Sequence, residues 1–300
     1  MRVTQTQMSE TIARYLFKQG QALSKKQEVV ASGKQVNRPS DDPTGMGRIL
    51  DYRKTLSTLE QYKRNIAHAR VRVETSETVL DGVSEWVEKA IAVARDNTPG
   101  TGDTASWQAA ASDVDNIRTQ VLSLANTKVG GIFIFAGRQT DAPPFVYDGA
   151  TDQITYTGDN TADADMHIAI GENAEITIKA NGEEIFNGAQ DVFAALKDLK
   201  DELDQPTPDP AVIKGIQGRL EEAALQIEKI RGLGSTTYKR LEVNENQLDQ
   251  FIVNYEKLQS DTENADIAQA ILELQSRETA YQTSLGVAAQ TIQKTLLDYL

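Results

Sequence analysis

Apolar residues recur every three or four positions through both ends of the chain, and every second position in its middle. Near the N-terminus Ile12, Leu16, Leu23 and Val30 lie at multiples of three or four, with Gln19 and Lys26 diluting the stripe. A longer series carries Ile49, Tyr52, Leu56, Leu59, Tyr62, Ile66, Ala69, Val73, Leu80, Val83, Val87, Ala90 and Ala94, with one polar slot around Ser76. If continuous from Gly47 to Thr98, this helix is roughly 75 Å long at ~1.5 Å per residue. Pro99-Gly100-Thr101-Gly102 ends it with residues that do not extend a helix. Trp107, Ala110, Val114, Ile117, Val121 and Leu124 then predict a third helix.

The tail repeats the theme. Ile213, Ile216, Leu220, Ala223, Ile227 and Ile230 form one stripe, and Tyr238, Leu241, Leu248, Phe251, Tyr255 and Leu258 follow Gly232-Leu233-Gly234. Last come Ile267, Ile271, Leu274, Tyr281, Leu285, Ala288, Ile292 and Tyr299 at heptad spacing, interrupted by Glu278 and Thr295. Such stripes suit a supercoiled partner helix or an ordinary bundle, and in both cases the helices need partners.

Between the helical ends the period changes to two. "GGIFIFAG" (Gly130–Gly137), "QITYTG" (Gln153–Gly158), "MHIAI" (Met166–Ile170) and "AEITIKANGEEIF" (Ala174–Phe186) alternate apolar and polar residues and predict strands, with a hairpin at Asn181-Gly182. Val192, Phe193, Leu196, Leu199 and Leu203 predict a short helix, and "DQPTPDP" (Asp204–Pro210) a linker. The fold class expected is mainly α with a β-rich insertion, elongated, with helices from both ends bracketing a small β module.

One stretch breaks the helical pattern sharply: "GKQVNRPSDDPTGMGR", Gly33–Arg48. Arg38 and Asp42 each precede a proline and are pushed toward extended conformations. Pro43 suits the first position of a helix, where its missing N–H costs nothing. Asp42 is placed to cap that helix, its carboxylate accepting N–H bonds from the first turn. Gly45 and Gly47 each cost about 1 kcal/mol inside a helix, which points to close approach or a pliable start. The local reading is a capped joint between two helices, with an Asp41/Asp42 cation site as the alternative.

Composition bounds the chemistry. The net charge of −13 is concentrated: residues 141–210 carry sixteen Asp/Glu against three lysines, and the remainder of the chain is neutral. An acidic middle with neutral ends argues against nucleic acid, which needs a basic surface. There is no cysteine, hence no disulfide framework or thiolate site. The N-terminus lacks the apolar core of a secretory signal, and no stretch approaches the ~18 apolar residues of a membrane span. The two histidines, His68 and His167, have no ligand-spaced partners, and no nucleophile-elbow or phosphate-loop motif is present. No catalytic, metal or cofactor site is expected.

"ASGKQVNRPSDDPTG" (Ala31–Gly45), after a helical lead, resembles the N-terminal signature of the bacterial flagellin superfamily. Its Asn37-Arg38-Pro39-Ser40-Asp41-Asp42-Pro43 core is similar to the hook-associated, hook–filament junction branch of that superfamily. "GGIFIFAGRQTDAPPF" (Gly130–Phe145), "RGLGSTTYKRLE" (Arg231–Glu242), "ENADIAQAILELQSRETAYQTSL" (Glu263–Leu285) and the closing "TLLDYL" (Thr295–Leu300) carry the same resemblance. Filament flagellins typically have small residues where this chain has Pro39 and Pro43.

The resemblance implies four parts: residues 1–35 with 265–300 as a terminal coiled coil, 36–130 with 211–264 as a helical middle domain, 131–190 as a β-rich outer domain, and 191–210 as helix and linker. Ile12, Leu16, Leu23, Val30, Ile267, Ile271, Leu274, Tyr281, Leu285, Ile292, Tyr299 and Leu300 become the expected assembly residues, with 37–43 the joint. It further implies a homo-oligomer in a helical layer, and as partners the other hook-associated junction protein, flagellin and a flagellar export chaperone. The chain is expected to be secreted unfolded by the flagellar type III apparatus without a cleaved signal. A filament-forming flagellin, an adhesin, and an enzyme using His167, Asp159, Asp163, Asp165 and Glu172 on the same scaffold remain the alternatives.

Overall fold

The computed structural model describes residues 2–98, 102–161 and 164–297. Its elements gather into two compact units, Met1–Leu59 with Gln250–Leu300, and Glu60–Asp249. The fold is mainly α with a β-rich insertion, as the change of period predicts.

Each helix starts and stops for a local reason. α1 (Arg2–Ser32) ends where Gly33 adopts a left-handed φ of +71°, and the Gly33 N–H donates to the Val29 carbonyl. α2 (Pro43–Asn97) begins on Pro43, four residues ahead of the start expected from the apolar series. α3 (Thr104–Ala125) is capped by Asp103, whose side chain accepts from the Ser106 N–H at 2.8 Å. α6 (Pro210–Glu263) runs unbroken through Gly232 and Gly234, and α7 (Ile267–Leu297) follows after three residues.

In the unit Glu60–Asp249 the stripes of α2, α3 and α6 form one core: Val83, Val87, Val114, Val121, Leu220 and Ile227 are fully buried there. Leu196, Leu199 and Leu203 of α5 (Val192–Leu203) close it. Six short strands make three antiparallel pairs: β1 (Lys128–Val129) with β2 (Ile132–Phe133), β3 (Phe145–Asp148) with β4 (Gln153–Tyr156), and β5 (Met166–Gly171) with β6 (Ala174–Ile178). Phe145 seats this module on the helices, with its ring centroid 5.1 Å from those of Phe186 and Phe193. The Asn126 side chain, at the end of α3, both donates to the Phe145 carbonyl and accepts from its N–H, imitating a strand partner.

The hairpin expected at Asn181-Gly182 does not form. Asn181 instead caps α4 (Gly182–Phe186), accepting from the Glu183 N–H, and β6 pairs backward with β5. Gly182 is there for proximity: a Cβ would lie 2.6 Å from the Phe135 carbonyl oxygen, to which the Gly182 N–H donates. The strand read in "GGIFIFAG" reduces to Ile132–Phe133, because Gly130 and Gly131 both take positive φ and turn the chain. β3 had no sequence expectation.

Because Phe186 also meets Phe135 edge to face, stacks on Phe193 and is fully buried, Phe186→Ala is expected to cost about 3–5 kcal/mol. Denaturant unfolding of the full chain, followed at the transition of this unit, checks the loss.

Candidate assembly joint

The segment between α1 and α2 is a chain of interlocking turns. Pro39 occupies the corner of a turn closed by the Asp41 N–H donating to the Arg38 carbonyl, with Ser40 exposed beside it. The Asp41 carboxylate reaches back to accept from the Asn37 and Arg38 amides at 3.3 and 3.0 Å, and it pairs with Lys25 at 3.0 Å. Lys25 first, then the Arg38 and Asn37 amides, hold the Asp41 carboxyl below the ordinary aspartate range. The Asn37 side chain donates to the Lys34 carbonyl, and Arg38 pairs with Glu28 on the exposed side of α1.

Asp42 does separate work. One carboxylate oxygen accepts from the Thr44 and Gly45 amides at 3.1 and 2.9 Å, and its carbonyl accepts from Met46. Gly45 makes room for this cap, since a Cβ there would collide with the other Asp42 carboxylate oxygen. The adjacent carboxylates are thus divided between a turn and a helix cap. Among the described residues no group of three or more His, Cys, Asp or Glu side chains is placed to hold a metal ion.

The joint has a second half that sequence reasoning missed. Gly33–Val36 lies against the break between α6 and α7: the Gln35 N–H donates to the Glu263 carbonyl at 2.8 Å, and the Ala265 N–H to the Gly33 carbonyl at 2.9 Å. The Glu263 side chain is 5% exposed and accepts from Lys34 at 2.5 Å, Arg53 at 2.7 Å and Gln259 at 2.7 Å. Burial pushes its carboxyl up, but the Gln259 and Lys34 hydrogen bonds and the Arg53 and Lys34 charges outweigh that and lower it. Asp266 then caps α7 through the Gln269 N–H. The spacing Asp266-x-x-Gln269 is a capping-box signal that marks this break in the sequence.

Beyond the joint, α1 and α7 pack side by side. The Tyr281 ring lies over Gly20, where a Cβ would sit 3.6 Å from the ring, and Lys26 pairs with Glu273. Ile12, Leu16, Leu23, Val30, Leu274 and Tyr281 are half-buried, while Ile267, Ile271 and Leu285 are 39–43% exposed. Tyr15, Phe17 and Leu272 stand further out, at 65–68%. The side chain of Ile292, and Tyr299 and Leu300 entirely, lie outside the described residues.

Of the residues set aside for possible chemistry, Asp159, Asp165 and His167 have local partners and Glu172 is exposed. Asp159 accepts from the Thr161 N–H, Asp165 pairs with Lys179 and accepts from the Ala180 N–H, and His167 lies 3.1 Å from the Thr177 hydroxyl. Asp163 lies outside the described residues. Asp42→Ala is expected to destabilise the unit that holds the joint by about 0.5–2 kcal/mol, and Asp42→Asn by much less, because asparagine caps nearly as well. Chemical denaturation of the two variants side by side checks this.

The bacterial flagellin N-terminal helical region matches residues 3–140. The chain is 30% identical over 222 residues to flagellar hook-associated protein 3 of Escherichia coli K12, and 34% identical over 122 residues to that of Salmonella typhimurium. Those alignments cover 69% and 39% of this chain, and 66% and 38% of the relatives' own lengths. Among solved structures, a putative flagellar hook-associated protein from Vibrio parahaemolyticus superposes with a TM-score of 0.68 at 18% identity, over 75% of this chain and 100% of that one. FlgL of Bacillus cereus gives 0.58 at 23% identity, over 69% and 97%. With the flagellin N-terminal helical region matching residues 3–140 and hook-associated proteins alike in both sequence and fold, the chain is similar to the bacterial flagellin superfamily and, within it, to flagellar hook-associated protein 3.

Proposed function

We propose that this chain is a structural adaptor of the flagellum, forming the layer that joins hook to filament. The observation that carries the reading is the α1–α7 pair, whose apolar rim is left uncovered in a chain similar to this family. Copies of the same chain cover that rim in a helical layer. The other hook-associated junction protein packs on the hook side and flagellin on the filament side.

The chain reaches that place outside the cell unfolded, through the flagellar type III apparatus and with an export chaperone. The lack of cysteine supports passage as an open chain. No helix among the described residues is long and apolar enough to cross a membrane. The work is mechanical, with no substrate turned over and no cofactor. The β module faces outward with the acidic part of the sequence.

A filament-forming flagellin is the second reading, favoured by 21% identity over 276 residues to the flagellar filament 33 kDa core protein of Treponema phagedenis. Pro39 and Pro43 in the joint favour the adaptor. A strain lacking this chain is expected to build hooks and to shed flagellin monomers into the medium. Normal filaments on that strain, or long filaments grown from the purified chain alone, overturn the adaptor reading.

A further inference from the structure

Glu263 is the one buried polar or charged residue in its compact unit, among the described residues. A lone buried carboxylate is a costly way to hold a fold together. Its desolvation is offset only while Lys34, Arg53 and Gln259 all keep their places, and apolar residues of similar volume often serve stability equally well. What a buried polar group does supply is register: it is satisfied in one alignment of its neighbours and left unpaired in the others.

The contacts of α1 with α7 do not fix that alignment by themselves. Apart from the small buried residues Val29, Ala270 and Ala288, these two helices carry half-buried side chains, a ring laid on a glycine and the partly exposed Lys26–Glu273 pair. Each of those contacts survives a slide of one helix along the other better than a buried, triply bonded carboxylate does. Glu263 is bonded to three separate pieces of chain: Lys34 and the Gln35 amide at the end of α1, Arg53 on α2, and Gln259 one turn back on α6. The bridge between Lys34 and Asn264 and the Ala265–Gly33 hydrogen bond close the same short ladder.

We propose that Glu263 is a positioning residue for assembly: it pins the two chain breaks to each other, so that α1 and α7 leave the joint in one register and present a defined apolar rim to neighbouring copies. This rests on the assembly reading above. Lys34 and Arg53 are the cations that face the carboxylate, and Lys25–Asp41 and Arg38–Glu28 are satisfied apart from it.

Two variants of the full chain test the proposal. In purified Glu263→Ala, amide exchange at Gln35 and Ala265 is expected to rise roughly tenfold or more, while the α3 amides at 114–121 keep their protection. In the triple variant Lys34→Met, Arg53→Met and Glu263→Met, the denaturation midpoint is expected to hold near the parent value, yet the gene fails to restore motility to the deletion strain. Unchanged exchange in Glu263→Ala overturns the proposal. So does a triple variant that restores motility, or motility that only tracks the denaturation midpoint across the variants. The exchange measurement uses the free chain, so it stands whether or not the deletion strain behaves as the adaptor reading requires.

Discussion

Two helices packed side by side hide only the seam between them, and α1 and α7 carry apolar residues around more than that seam. Ile271 and Leu285 sit at its edge, and Phe17 and Leu272 lie well outside it. Covering each such side chain is worth about 1.5–3 kcal/mol. Ordering the backbone of a residue costs about 1–2 kcal/mol. A pair of thirty-residue helices with a thin seam is therefore close to balance by itself, and further apolar partners tip it toward order. Assembly and the folding of these helices become one event.

The unit Glu60–Asp249 has a core of its own, although Leu225 and Val243 on α6 are also exposed. Its helices share a core filled by valine, leucine and isoleucine, and the phenylalanine cluster fastens the β module to it. The contrast is visible inside the unit that holds the joint, where the buried apolar residues among those described are Val29, Val36, Ile49, Ala270 and Ala288. Val36 lies in the joint, and Val29 and Ile49 flank it along the chain. Along the described part of the terminal pair, Tyr15, Phe17, Ile267, Ile271, Leu272 and Leu285 stay exposed.

Most of the helices were legible in the sequence because they carry their own period and local breaks: Gly33, Pro43 and Pro99-Gly100 act within a few residues of themselves. Asp42 was legible as a cap for the same reason. The Asn181-Gly182 turn was misread because the glycine answers to a distant backbone, the Phe135 carbonyl, and local spacing carries no trace of that. Glu263 was invisible for a stronger version of the same reason. Its partners Arg53 and Lys34 lie 210 and 229 residues away, and nothing near residue 263 distinguishes a buried carboxylate from the many exposed ones on α6. The exposed rim on α1 and α7 was legible only as a stripe in need of a partner; which residues the pair leaves uncovered depends on the rotation of each helix.

The direct test of assembly-coupled burial uses the chain's lack of native cysteine. Single thiols at Phe17→Cys and Leu272→Cys report on the rim, and Ala150→Cys in the exposed β3–β4 loop serves as the reference. Maleimide labelling of the purified chain is expected to proceed at similar rates at all three. In isolated flagella the two rim thiols become protected while the loop thiol still reacts. Rim thiols that label equally fast in the free chain and in flagella would show that no neighbouring copy covers the rim, and the account would fail at its centre.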